Sequence, residues 1–470
     1  MDEFEISYTI EDAAQFWLEL DDIISATCQT HELIDNALRA YLGFVVNFKG
    51  EYLQSEYDIA KCCYKLLESA LFQAHKEYVR RQIVHALLQE DESPTLHIIT
   101  GLLLYDGRSN EETFQMMQQE GSFPRLVELI SQWEGEDTQL HRMLLDLMYE
   151  SSRIQRLSWN DLKSISDPFI LSLFSITESL SADASDPYHY PVIRVLLVLN
   201  EQYMVKSALS PPPPPPPRTK SNTATSYTPP TLTNRVLKAL STHLSSYKTF
   251  GENLILLLNR ESETSLQLLI LKLLYLVFST KSTCEYFYTN DLHVLLDVIL
   301  RNLLDLPSDD ESMQALRHTY LRVLYPLLAN SQLKHQGQNY KKPEITAVLR
   351  VLSGEGGNHF AEPDPTTVRL VQRCRSVEWL KEEVEGEEDG SAGEEGSETP
   401  VDKVGDGLKE VAMRSLGMGL RDAGESALSV VAVAVHTEKP GVLTPSLGLQ
   451  HGGKGGANGG GKEGGDGGVT

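Results

Sequence analysis

A chain of 470 residues with 66 acidic against 41 basic side chains, a formal charge of −25 and a pI near 4.9 can bury a large core but is poorly suited to nucleic acid, whose phosphates are held mainly by Lys and Arg. No run approaches ~18 uncharged apolar residues, and the opening MDEFEISYTI is acidic where a signal peptide is basic, so no membrane insertion and a cytoplasmic location are expected. Cys28, Cys62, Cys63, Cys284 and Cys374 form no CxxC and have no histidine pair at zinc-ligand spacing, which predicts small apolar residues in a reducing compartment, with no metal and no other cofactor.

The first half reads as helix after helix, with apolar periodicity near 12–26, 31–48, 56–74, 76–90, 94–105, 123–133, 137–150, 167–180 and 190–208. Seven prolines, Pro211 to Pro217, then follow, with Arg218 and a Ser/Thr/Asn-rich stretch to Pro230. Proline lacks the backbone donor and breaks helices, so this piece is expected as a polyproline II loop. Such a loop is either a ligand, with Pro211, Pro214, Pro217 and Arg218 read by Src-homology domains or profilin, or an inert spacer.

The second half resumes the pattern. SLQLLILKLLYLVF, from Ser265 to Phe278, is apolar nearly all round and should lie buried between neighbours. After Asn290 the apolar residues Leu292, Leu295, Leu296, Ile299 and Leu303 share one helical face. Asn290 is the expected N-cap, with Asp291 favoured by the positive end of the helix dipole. A further helix is expected over about 311–330, carrying Met313, Leu316, Tyr320, Val323, Leu324, Leu327 and Leu328, with Pro326 near its end. Arg301, Arg317, His318, Arg322 and Lys334 form a basic cluster that fits either a specific acidic partner or helix solubility. Trp379 shares a helical face with Val377, Leu380 and Val384, as a capping helix with a solvated acidic edge would.

From Glu385 onward the composition changes: 22 of the 33 glycines fall in this tail, with 15 acids and 7 bases, and such a segment cannot offset its chain entropy by burial. The expected organisation is therefore 1–208, an N-terminal helical half; 209–230, a proline-rich disordered loop; 231–384, a C-terminal helical half; and 385–470, a disordered tail interrupted by the apolar run Ala427 to Val435. About eighteen helices with short loops and few strands define an all-α, armadillo/HEAT-like solenoid.

Chemistry is hard to find. Gly456 to Lys462 imitates a phosphate loop, but Glu463 stands where Ser or Thr should hold magnesium; Gly354 to Asn358 lacks a preceding strand. No GxSxG, HExxH or kinase signature occurs, and His75, His85, His97, His293 and His318 are scattered, so the chain reads as a binding surface and not an enzyme.

Three segments, FYTNDL (Phe287 to Leu292), LLDVILRNLLDLP (Leu295 to Pro307) and LRHTYLRVLYPLLANSQ (Leu316 to Gln332), resemble the leucine-rich signature of the WISH/DIP/SPIN family, in its shorter fungal form. The resemblance implies an armadillo-like protein that binds and activates the actin-related protein 2/3 complex without a preformed filament. Its products would be linear filaments that seed branching at endocytic, cortical actin patches. On the matching motif it places Tyr288, Asn290 and Asp291 at a helix start that fixes a groove, and Arg317, Tyr320, Leu321 and Arg322 on or beside the contacting helix, with plain packing the competing role for Tyr320. The alternative is an armadillo scaffold that recruits Src-homology or profilin partners through the proline loop.

Overall fold

The computed structural model describes residues 10–181, 186–209, 232–307, 311–335, 340–355 and 364–381. The proline run with Arg218, the glycine-rich tail, Val384 and the imitation phosphate loop lie outside the described residues. Among these residues there are nineteen α-helices, two 3₁₀ turns and no strand. The helices of the first half are α1 (Ala13–Ile24), α2 (His31–Tyr52), α3 (Glu56–Glu68), α4 (Ala70–Ala74), α5 (Lys76–Gln89), α6 (Ser93–Ser109), α7 (Glu111–Gln119), α8 (Ser122–Trp133), α9 (Thr138–Ile154), α10 (Trp159–Ser164), α11 (Asp167–Glu178) and α12 (Tyr190–Leu209). Those of the second half are α13 (Arg235–Thr242), α14 (Lys248–Arg260), α15 (Thr264–Ser279), α16 (Thr289–Asp305), α17 (Glu311–Asn330), α18 (Lys342–Leu352) and α19 (Pro365–Arg375).

Polar caps set most of the starts. Side chains of Asp12, Thr30, Ser55, Asn110, Asp137, Ser158, Ser166, Asn234 and Asp364 each accept from an amide in the first turn, and Ser55 with Asp58 and Ser158 with Asp161 form reciprocal capping boxes. The helix expected over 56–74 is divided at Ser69, whose hydroxyl caps α4 by accepting from the Phe72 amide. The short helices α7 and α10 went unread in the sequence because each has too few turns to establish a period.

The helices form a two-row solenoid. In the inner row α3, α6, α9, α12, α15, α17 and α19 pack each against the next, every third helix up to α15 and every second thereafter. Beside it run contacts from α5 to α8 and from α11 through α14 and α16 to α18. The run from Ser265 to Phe278 is the buried centre that its composition predicts: of α15 only Gln267, Leu276 and Ser279 are not buried. The two halves are one continuous stack, since α12 packs on α15 and α11 on both α13 and α14. Asn234 donates to Asn200 at 2.8 Å, and the Glu178 carboxylate, one helix away, accepts from the Thr249 and Phe250 amides at 3.1 and 2.9 Å. Helix α14 has no side-chain cap of its own, so Glu178 supplies the negative charge that its N-terminus favours.

Cys62, Cys63 and Cys374 are buried and Cys28 and Cys284 half-buried, all unpaired; burial pushes the Cys62 and Cys374 thiols up to about 12, so they behave as apolar packing groups. Trp379 sits in a 3₁₀ turn, Glu378–Leu380, where its indole donates to the Leu328 carbonyl at 3.0 Å while Val377 and Leu380 are buried. The expected capping role is filled, but by a single turn instead of a longer helix.

Candidate protein-binding surface

The motif FYTNDL is placed by aromatic packing. Tyr286 and Phe287 are buried edge to face, with Phe287 also stacked on Phe278. Gly251 of α14 makes room for them: a Cβ there would stand 2.9 Å from a Tyr286 ring carbon and 3.1 Å from one of Phe287. The Lys248 ammonium donates to the Tyr286 carbonyl and lies 4.9 Å from the Tyr286 ring centroid and 4.4 Å from that of Tyr288. Tyr288 itself is 57% exposed.

The helix start differs from expectation. Tyr288 is the N-cap residue of α16 and gives no side-chain cap; Asn290 is the second residue of the helix, exposed to solvent, and Asp291 lies in the first turn as predicted. Thr289 instead ties this start to the turn after α17, donating to Gln332 at 3.0 Å.

Helix α17 is mostly an internal element. Tyr320 is fully buried; it accepts from Asn302 of α16 at 2.8 Å and donates to Gln267 of α15 at 3.2 Å, so it joins three helices. Leu321 is fully buried too, and its carbonyl accepts from the Cys374 thiol of α19. These two residues are packing groups, which corrects the reading of them as contact residues: their apolar stripe faces α15 and α19. Arg317 donates to the Leu306 and Pro307 carbonyls at 2.7 and 3.0 Å and so closes the C-terminal end of α16. His318 is half-buried against the Asp364 cap of α19, 3.0 Å from its carboxylate and 3.1 Å from Thr367. Arg322 is half-buried; Arg301 is exposed and donates to Asn259 at 2.6 Å; Lys334 is exposed. Arg317 and His318 are therefore spent on contacts within the fold, and the basic cluster does not form one continuous patch.

What does face outward is α16. Asn290, Val294, Arg301 and Leu304 lie along one side at helical spacing, with half-exposed Asp297 between them, and Val294 and Leu304 are each 53% exposed. Tyr288 stands at the head of this stripe. Val294 and Leu304 were missed because they fall outside the main apolar face; the signal is a second apolar series on the side opposite Leu292, Leu296, Ile299 and Leu303. Among the described residues no group of three or more His, Cys, Asp or Glu could hold a metal ion, and no helix is long and apolar enough to cross a membrane.

A two-row helical stack of this kind belongs to the class of all-helical, armadillo-like solenoids. Residues 185–345 match the family model described as SPIN90/Ldb17, leucine-rich domain. Protein dip1 of Schizosaccharomyces pombe is 28% identical over 384 residues, which cover 81% of this chain and 97% of that one. Protein LDB17 of Saccharomyces cerevisiae is 26% identical over 432 residues, covering 80% and 82%. The family model and these relatives support the WISH/DIP/SPIN family, in its fungal form. Among solved structures, a designed armadillo repeat protein in complex with a (KR)4 peptide aligns over 64% of this chain and 99% of its own, with 11% identity and a TM-score of 0.32.

Proposed function

We propose that this protein binds and activates the actin-related protein 2/3 complex without a preformed filament, through its folded surface and without catalysis, and that it does so at cortical, endocytic actin patches in the cytoplasm. The observation that carries the reading is similarity to this family: relatives match over four fifths of the chain, and the matching region includes the α16 stripe headed by Tyr288. An activator of this kind must prefer the active arrangement of its target; moving a balance from 1:99 to 99:1 takes ~5.5 kcal/mol of differential affinity. A preformed solenoid suits that task because little of its binding energy goes into ordering itself.

The test is pyrene-actin assembly with the purified complex and no added filaments. A shortened lag, with single-filament images showing unbranched starts, is the expected result; an unchanged lag overturns the reading. The second reading, a scaffold acting through PPPPPPPR, predicts that deleting 211–217 abolishes function while actin assembly in the purified system is unaltered.

A further inference from the structure

Helix α12 ends at Leu209, where the first half gives way to the second, and it packs between α9 and α15. Of these two neighbours, α15 is almost wholly apolar. In the sixteen residues of α15 the one charged side chain is Lys272, only 3% exposed, and its ammonium meets the Glu201 carboxylate of α12 at 2.8 Å. On the other flank Arg194 of α12 donates to Asp146 of α9 at 3.0 Å. The line continues both ways: Arg153 of α9 pairs with Glu150 at 2.7 Å and with Glu263, just before α15, at 3.1 Å, and Arg108 of α6 reaches Glu150 at 3.4 Å. Buried ion pairs therefore run from α6 through α9 and α12 to α15.

Stability does not explain them. Desolvation offsets most of the attraction in a buried pair, and apolar side chains of similar volume would hold such helices together at least as well. Surfaces built from Leu, Ile and Val have a different weakness, because a shift by one turn, about 5.4 Å, puts similar ridges back into similar grooves. A lone charge on the apolar face of α15, matched by one carboxylate on α12, removes that freedom there, since a one-turn shift strands both Lys272 and Glu201.

We infer that one of these pairs is a register pin. Glu201 with Lys272 selects one axial alignment of α12 against α15, with Arg194 and Asp146 adding to the hold of α12 on α9, and so sets the curvature of the inner row across the junction of the two halves. This role is independent of the identity of the partner.

The experiment uses the full chain with spin labels on Cys28 and Cys284, the two half-buried thiols, which precede α2 and α16 and so bracket the line of pairs. The double variant Glu201→Leu/Lys272→Met should keep its melting temperature within about 3 °C of the parent. Its inter-label distance distribution should broaden and its mean should move. An unchanged distribution in the folded double variant overturns the inference. Should that variant fail to fold, the reversed pair Glu201→Lys/Lys272→Glu decides: recovery of the parent distribution supports the pin, and a broadened distribution in the folded reversed protein overturns it.

Discussion

Arg317 of α17 donates to the carbonyl of Leu306 at 2.7 Å, so a cation on one helix of the family signature closes the open end of the helix before it. Arg317→Ala removes that bond and the one to Pro307 and leaves two carbonyls at a helix end without their donor. The expected loss is about 1–3 kcal/mol in chemical denaturation, larger than for Arg301→Ala, whose bonds lie at the exposed surface.

Gly251→Ala tests how the motif is seated. Alanine is the better helix former by about 1 kcal/mol, but the new methyl meets two buried aromatic rings, and overpacking of this kind costs about 1–3 kcal/mol. A net fall in melting temperature is expected, together with altered exposure of Tyr288, readable as a change in its solvent quenching.

His97 of α6 is fully buried and neither ring nitrogen meets a protein partner. Burial, aided by the nearby Lys49, lowers its pKa from the ordinary value of 6.5 to about 4. The unfolded chain thus accepts a proton that the folded chain refuses. The stability this confers is complete above pH ~6.5 and is lost as pH falls towards about 4, up to about 3 kcal/mol in all. Denaturant midpoints measured across that window should flatten in His97→Leu; an unaltered slope would assign the pH dependence to other groups.

On the outward face of α16, Val294→Asp with Leu304→Asp should leave the melting temperature close to the parent, since both side chains are about half exposed. Affinity for the actin-related protein 2/3 complex, read by co-sedimentation or by the lag of actin assembly, should fall about tenfold or more if this stripe is an anchor. Tyr320→Ala and Leu321→Ala should act in the opposite way, lowering stability by about 2–5 kcal/mol first and binding only as a consequence.

Most of the helical path was legible because amphipathic periods of three or more turns announce themselves, as in α16 and α17, and because the wholly apolar α15 could only be internal. The surface residues were less legible. Arg317 and Arg322 look like a free basic face in a strongly acidic chain, yet the first is spent on carbonyls ten and eleven residues upstream in sequence. Asn290 has the composition of a cap but sits two positions too late, because Tyr288 is the N-cap and Thr289 already belongs to the helix.

By itself the sequence determined that the described body is all-helical and that the stretch resembling the leucine-rich signature lies between Phe287 and Gln332, since these follow from periodicity and motif. Only the tertiary structure decided which side of each helix meets its neighbours, that Tyr320 and Leu321 are interior while Val294 and Leu304 face outward, and that Glu201 meets Lys272. Those facts depend on the angle at which one helix packs on the next, and helical spacing within a single segment holds no information about that angle.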